Sequence, residues 1–576
     1  MRSVILSGAG GGAKNLYDRV LPGSFPFGKL RASAALSMMT NRQQIGPLAA
    51  ALGPVVVFLL LASVRLDLPG LHYDEALEAG LPAVRLITGQ PGAVRGGVAL
   101  GVRTLPLMVQ NHIGATQVYA ALPFVLLGGP RAESLRAMTV AAGALTIVAV
   151  EWFVAQVYGR LAALYSGLWL AAFASFVFWA RQGVFVTSLA PCFAIGALAA
   201  GAHWWRTRRL WAIGLAGLCT GLAIYSKLSA LWLANGLIAW GLLAAGRRLP
   251  AVLRAAWATQ RRALAAGLVG LVLGVWPLIL YNLITGGATL QAVRAGAAGT
   301  FLGVNNADVP GNFVLRLAQA ADVVRSGDHL WYLGGSFPNH VVLASVLAAL
   351  LILCAGAVRE RCWRTALAPF LALAVIAQSC YTISALWPTH FAIAAPLPAI
   401  IFGVAVGQVD RWLGASGQRF GRYARRWFAL LPTLVLITQT LTSLSYLRTV
   451  IVSGGLSFHS AAIYDLSRFL EDRPEHIVAL DWGIAAQVMY LSGGRTQVEE
   501  FYGYEQTPPP TFGAQVRERF GRDELYLTHT AHREAFQRRD AFLSAVAAAG
   551  MWADPIYIAV RAGGEPMLEV WRVRRP

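Results

Sequence analysis

Apolar stretches long enough to cross a bilayer recur along this chain, and no other feature of the sequence limits the fold as severely. A crossing takes roughly 20 mainly apolar residues. Runs of that kind stand at approximately 47–66, 134–157, 162–180, 185–205, 210–226, 228–245, 264–284, 339–358, 365–384, 390–409 and 428–447. Without water to bond exposed N–H and C=O groups, each run must satisfy its own backbone as a helix. The predicted fold class is a polytopic α-helical membrane protein with about eleven transmembrane helices, followed by a small α/β domain. Composition agrees: 56% of the 576 residues are hydrophobic and 13% charged, about half the usual charged share of a soluble domain. A soluble enzyme is excluded.

The formal charge of +20 does not point to nucleic acid, because the basic residues sit in short loops. They form four clusters: Arg206, Arg208 and Arg209; Arg247, Arg248, Arg254, Arg261 and Arg262; Arg359, Arg361 and Arg364; Arg411, Arg419, Arg422, Arg425 and Arg426. With alternate loops facing the cytoplasm, all four fall on one side, as the positive-inside rule requires. The loops 67–133 and 285–338 and everything after about 450 then share the extracytoplasmic side. Segment 118–129 is too short to span and contains Pro123, which suits a re-entrant or interfacial piece.

Three domains are expected: a disordered cytoplasmic tail over 1–46, a transmembrane catalytic domain over 47–450, and a soluble extracytoplasmic domain over 451–576. Residues 1–37 are glycine-rich and aperiodic, whereas the stretch from Met39 reads like an ordinary start followed by a signal anchor. That first apolar run lacks a clear small-x-small cleavage site and is expected to remain as a helix. Cys192, Cys219, Cys354, Cys362 and Cys380 lie in or beside spans, so neither a disulfide framework nor a Cys-x-x-Cys site is written here.

Past the first run comes Leu66-Asp67-Leu68-Pro69-Gly70-Leu71-His72-Tyr73-Asp74-Glu75, in which two adjacent carboxylates follow a membrane exit. Leu77, Leu81, Val84 and Ile87 then recur at helical spacing, predicting a short amphipathic helix on the membrane surface with Asp74 and Glu75 at its start. Acidic residues there either serve the helix dipole as caps or are catalytic, and the pattern alone leaves both open.

Further stretches carry a resemblance. RTLPLMVQNHIGATQVYAALPFVLLGG (103–129), the two spans within 132–171, GLAIYSKLSALWL (221–233) and GVWPLILYNLITGG (274–287) follow the Asp-Glu pair in order. Together, over roughly residues 45–400, they resemble the GT-C superfamily of integral-membrane glycosyltransferases, nearest to the protein O-mannosyltransferases and lipid A aminoarabinose transferases. The resemblance implies a sugar donor on a polyprenyl phosphate and inverting transfer to a hydroxyl of a protein, lipid or glycan outside the cytoplasm. It implies Asp74 as general base, Glu75 as its or the acceptor's orienting partner, and Lys227 in a Gly-Leu-Ala-x-x-x-Lys hairpin. The family commonly carries another acid near the third-to-fourth turn, where this chain has Arg181-Gln182-Gly183; that leaves more of the burden on Asp74.

Topology adds Arg181, Arg103 and His390 to Lys227 as candidates for the donor phosphate, against snorkelling or structural hydrogen bonding. Loop 285–338 carries Asp308, Asp322 and Asp328, either touching the acceptor as parts of a lid or simply solvated; Tyr281 and Asn282 close the span before it. No cofactor and no essential metal are expected, and no nucleic acid partner. The bilayer, a lipid-linked sugar and an acceptor are the expected partners, and the high Ala, Gly and Arg content places the chain in a bacterial inner membrane. The domain after 450 alternates helical and strand-like pieces, with strands expected at 476–482, 524–530, 555–560 and 567–573 and a longer helix around 533–549. It serves as a lid, an acceptor-binding domain or a structural cap. Its Asp481-Trp482-Gly483 ends a strand without a glycine-rich phosphate fingerprint, and His529 and His532 are not assigned as ligands. The competing readings are a transporter of lipid-linked sugars, which would place polar residues at the bilayer midplane whereas the spans here are nearly charge-free with Glu151 an exception, and a non-catalytic envelope scaffold.

Overall fold

The computed structural model describes residues 47–575 apart from 91–94, 102, 183–187, 299, 302–303, 361–362, 382–387, 416–417 and 458. The predicted tail over 1–46, the stretch Gly183 to Thr187 and Cys362 lie outside the described residues. A helix stands over each predicted run: Pro47–Ala62, Ala132–Val157, the pair Arg160–Ala172 and Ala174–Gln182, Leu189–Thr207, Leu210–Ser226, Ala230–Ala245, Leu249–Ile284, His340–Glu360, Leu367–Ser379, Pro396–Ala415 and Gln418–Ser453. Among the described residues, five helical stretches are long and apolar enough to cross a membrane, or six when the bent pair counts as one. The pair is bent by 61°.

Small residues set which helices touch. Cβ atoms built on Gly217 and Gly270 would come within 2.0 Å of Gly267 O and 2.1 Å of Gly214 O, so helices Leu210–Ser226 and Leu249–Ile284 are in backbone contact. Gly403 likewise lies against Ser166, and helix Pro396–Ala415 is central, with an unbroken buried run from Ala399 to Gln408, whereas most of Ala230–Ile284 is not buried. The outer faces of the peripheral helices are left for lipid.

At one end of the bundle lie the pieces that position the site. Tyr73–Glu75, a π turn Ala76–Gly80 and Leu81–Thr88 run on as one helical stretch. Of the predicted stripe, Val84 is buried and Ile87 partly so in a cluster with Ala76, Ala79, Ala83, Val118, Leu135, Ala486 and Tyr490, while Leu77 is exposed. Strands Arg95–Leu100 and Arg103–Gln110 form an antiparallel hairpin, joined by Ile113–Gly114. Helix Thr116–Gly128 covers the short apolar segment; its 13 residues reach about 20 Å at 1.5 Å each, short of a ~30 Å crossing.

The C-terminal domain has a five-stranded sheet in the order Val498–Glu500, His476–Ala479, Glu524–His529, Pro566–Arg574, Trp552–Val560. The first three strands are mutually parallel, and Pro566–Arg574 pairs antiparallel with both Glu524–His529 and Trp552–Val560. The short acidic strand Val498–Glu500 was not expected, and the last helix is confined to Arg539–Ala548 because the preceding chain turns, with His532 at φ 67°.

Candidate active site

The segment between the first helix and Asp74 is irregular, so its carbonyls need partners from elsewhere. Two buried arginines supply most of them. Arg181 Nη2 donates to Val64 O at 2.7 Å, Arg65 O at 2.6 Å and Leu68 O at 3.1 Å. Arg136 Nη1 donates to Leu66 O at 2.7 Å and Pro69 O at 2.8 Å, and its Nη2 to Gly70 O at 3.1 Å. Tyr464 OH, from the C-terminal domain, donates to Asp67 O at 2.5 Å. Every carbonyl from Val64 to Gly70 is thereby bonded. Arg136 also grips Glu75, Nε to Oε2 at 3.1 Å and Nη2 to Oε1 at 3.4 Å, with both side chains almost wholly buried. Burial raises the Glu75 carboxyl to about 7, opposed by Arg136. Glu75 is therefore an anchor of this segment.

Asp74, one residue earlier, is held differently. His72 caps the helical stretch, its Nδ1 accepting from Asp74 N–H at 3.1 Å. Burial and Arg136 lower the imidazole to about 3, so it is neutral, and an accepting Nδ1 leaves the proton on Nε2. The helix thus receives its cap from His72, and the Asp74 carboxylate is not required for it. That carboxylate is nearly enclosed, 3.4 Å from His72 Nδ1. Burial raises it to about 7 while the Lys227 charge pulls it down.

Lys227 is carried to this place by the end of helix Leu210–Ser226, which is stitched to the hairpin. Tyr225 OH donates to Leu107 O at 2.7 Å, Ser226 Oγ meets Thr116 Oγ1 at 2.8 Å, and Leu228 N–H donates to His112 O at 3.2 Å. The buried ammonium interacts with Glu78 and Asp74. Glu78, four residues past Asp74, accepts from the Gln110 amide. His390 interacts with Lys227, His112 and Arg316, and Arg316 is buried with Nη1 on Gln319 Oε1 at 3.1 Å. Lys227 is thereby linked electrostatically both to the carboxylates Asp74 and Glu78 and to the His390 imidazole.

The remaining predicted residues lie elsewhere. Arg103 is exposed at the hairpin tip, donating to Ile87 O at 3.5 Å; at about 3.3 Å per residue it is roughly 20 Å along its strand from Gln110. Arg181 has Nη2 on the backbone carbonyls already described. Tyr281 OH donates to Asn111 Oδ1 at 2.8 Å beneath the hairpin, and Asn282 joins Thr289 across a turn. Asp308 caps helix Val309–Arg325 through Gly311 N–H at 3.0 Å, and exposed Asp328 pairs with Arg325 at 3.3 Å. Asp322 bonds His329 Nδ1 at 2.9 Å, and His329 Nε2 meets Ser175 Oγ at 3.0 Å. That order imitates a catalytic triad, yet Ser175 is fully buried and its hydroxyl is 2.7 Å from Val323 O; it fastens the bent pair of helices to the loop. Glu151 is buried against Gly167 in the bundle.

The C-terminal domain rests on the site. The rings of His459 and His72 are 3.9 Å apart, Trp482 lies 4.9 Å from Tyr73, and Tyr73 OH donates to Glu500. A Cβ on Gly70 would fall 1.9 Å from Ser460 O, so only glycine permits this seat. Asp481 is taken up by His529 at 2.7 Å and by Ala535 and Phe536 N–H, while His532 is exposed. Sequence reasoning missed Arg136, Arg316 and His112. An arginine inside an apolar span is rare and rarely idle, and that signal was available for Arg136.

No family model matches this chain, and no curated protein matches it by sequence. Solved structures do match. ArnT from Cupriavidus metallidurans in the apo state aligns with a TM-score of 0.57 at 14% identity, over 90% of this chain and 98% of that one. The same protein bound to undecaprenyl phosphate aligns at 0.51 and 16%, over 90% and 97%. The oligosaccharyltransferase AglB from Archaeoglobus fulgidus, in complex with an inhibitory peptide and a dolichol-phosphate, aligns at 0.53 and 14%, over 92% and 74%. The fold of this chain is that shared with ArnT and AglB.

Proposed function

We propose that this protein is an inverting glycosyltransferase that moves a sugar from a polyprenyl-phosphate donor to a hydroxyl acceptor on the extracytoplasmic face of a bacterial inner membrane. The observation that carries the reading is the placement of Asp74, nearly enclosed and not engaged in capping its own helix, within electrostatic reach of Lys227. Support for a lipid phosphate comes from the undecaprenyl phosphate and dolichol-phosphate of the two similar structures.

In this reading the acceptor hydroxyl gives its proton to the Asp74 carboxylate as its oxygen attacks the anomeric carbon. The bond from that carbon to the phosphate oxygen breaks, and the polyprenyl phosphate leaves with the electron pair. Attack opposite the leaving group inverts the centre, and because the phosphate departs as a stable anion the base needs no general acid beside it. The growing phosphate charge meets Lys227 and Arg316 as fixed cations, with the His390 imidazole interacting with both. Those side chains take the role a metal would otherwise have, so activity is expected to survive chelation.

The test is donor consumption, followed by mass spectrometry, for wild type and Asp74→Asn against polyprenyl-phosphate hexoses, pentoses and aminosugars with a membrane extract as acceptor source. Turnover of one donor that falls about a hundredfold or more in the variant is expected. Equal turnover in both proteins removes Asp74 as the base; consumption of no donor moves the reading to a transporter or scaffold.

A further inference from the structure

Between Glu151 and Asp308 the chain has no Asp or Glu, although Arg206, Arg208, Arg209, Arg261 and Arg262 all fall within this interval. The fold gathers part of that charge. Because glycines hold helices Leu210–Ser226 and Leu249–Ile284 in backbone contact, the start of the first lies beside a break in the second at Gln260, where φ is −123° and ψ 20°. There a cavity of about 330 Å³ is lined by Trp204, Arg208, Leu210, Gln260, Arg261 and Arg262, among others. Arg208 closes the preceding helix in the left-handed region, φ 58°, and lays its guanidinium over Trp204 at 4.9 Å and Trp205 at 4.6 Å. The indole N–H of Trp204 is enclosed without an acceptor among the described residues. Among those residues no carboxylate pairs with Arg261 or Arg262.

Three guanidinium groups around one cavity repel each other, and for Arg261 and Arg262 no carboxylate among the described residues offsets the charge. A planar guanidinium fork matches phosphate oxygens bidentately. Leu210 lines the cavity and is exposed, and Trp211 and Trp257, each next in sequence to a lining residue, are exposed as well, as apolar and aromatic side chains are at a bilayer interface. These exposed apolar neighbours favour a phosphate carried on a lipid over one arriving from water, and basic pockets between helices are suited to such headgroups. The volume, at the small end for ligand sites, admits a headgroup and leaves the acyl chains outside. Helix Leu210–Ser226, 17 residues, is about 25 Å long at 1.5 Å per residue; Arg208 stands before one end and Lys227 after the other. The cavity is therefore separate from the Asp74 cluster. We propose that it is a binding site for the phosphate headgroup of an anionic phospholipid.

The experiment uses the full chain purified in detergent and native mass spectrometry with added phosphatidylglycerol or phosphatidylcholine. The variants are R261Q/R262Q and, as a control that removes the same charge from exposed positions nearby, R247Q/R248Q. Wild type is expected to retain phosphatidylglycerol over phosphatidylcholine, R261Q/R262Q to lose about tenfold in phosphatidylglycerol affinity, and the control to stay within about twofold. Equal losses in both double variants would mean diffuse attraction and overturn the site, as would equal retention of the two lipids by wild type. Displacement of the lipid by inorganic phosphate at similar concentration would assign the cavity to the free anion and overturn the lipid. Should R261Q/R262Q fail to fold, by circular dichroism and gel filtration, the single variant R262Q is read against R248Q by the same criterion.

Discussion

Residues 64–78 and residues 308–336 both carry several carboxylates between helices, and they use them in opposite ways. In the later stretch each is engaged by its own surroundings: Asp308 by a helix start, Asp322 by His329 and Arg325, Asp328 by Arg325 and Ser336. In the earlier stretch the fold is held by Arg136, Arg181 and Glu75, and the cap is His72, which leaves Asp74 facing Lys227. A carboxylate available for chemistry is one the local structure does not need. Glu75, adjacent in sequence, fails that criterion.

The largest expected effect breaks the comparison directly: Asp74→Asn should lower turnover about a hundredfold or more with the fold kept, whereas Asp322→Asn should lower the melting temperature and leave turnover per folded molecule within a few-fold. Loss of turnover in both would mean the later stretch also takes part in the chemistry. Next, Glu75→Gln or Arg136→Met leaves one buried charge without its partner and should cost about 3–5 kcal/mol of stability, read by denaturant or thermal unfolding in detergent. A neutral result would show that the pair does not hold this segment.

The pH dependence sharpens the role of Asp74. A base must be deprotonated, and burial raises this carboxyl to about 7, so kcat/KM should fall about tenfold per pH unit below that point. Lys227 favours the charged form, so Lys227→Met should move the midpoint upward; an unmoved midpoint would detach Lys227 from Asp74. A smaller effect is expected at His72. His72→Asn keeps an acceptor at the cap and should stay close to wild type, while His72→Ala should lose about 1 kcal/mol of stability together with a fall in kcat rather than a rise in KM. Smallest of all, Asp308→Ala should cost about 1 kcal/mol as a lost cap and leave the kinetics unchanged.

The helices were legible because their signal is local: each apolar run had only to be long enough, and a helix is found over every one. The strands His476–Ala479, Glu524–His529, Trp552–Val560 and Pro566–Arg574 were legible through their β-branched and aromatic content. Val498–Glu500 was not, since two of its three residues are Glu and a parallel neighbour alone makes it a strand. The helix after Asp74 was placed correctly along the chain, but its Ala76, Ala79, Ala83 and Val84 pack against helices and the C-terminal domain while Leu77 is exposed, and which partner covers a stripe is not a local property.

The same division separates Asp74 from Glu75. By itself the sequence determined that a pair of acids follows the first apolar helix, that Lys227 ends a later one, and that the chain folds as a helical bundle with a C-terminal α/β domain, since apolar length and hydrophobic period act over a few residues. Only the tertiary structure decided between the two acids. The guanidinium that neutralises Glu75 is 61 residues away along the chain, and the ammonium that faces Asp74 is on a different helix. Electrostatics depend on distance in space and on the burial that strips away water, and neither is written in the order of residues.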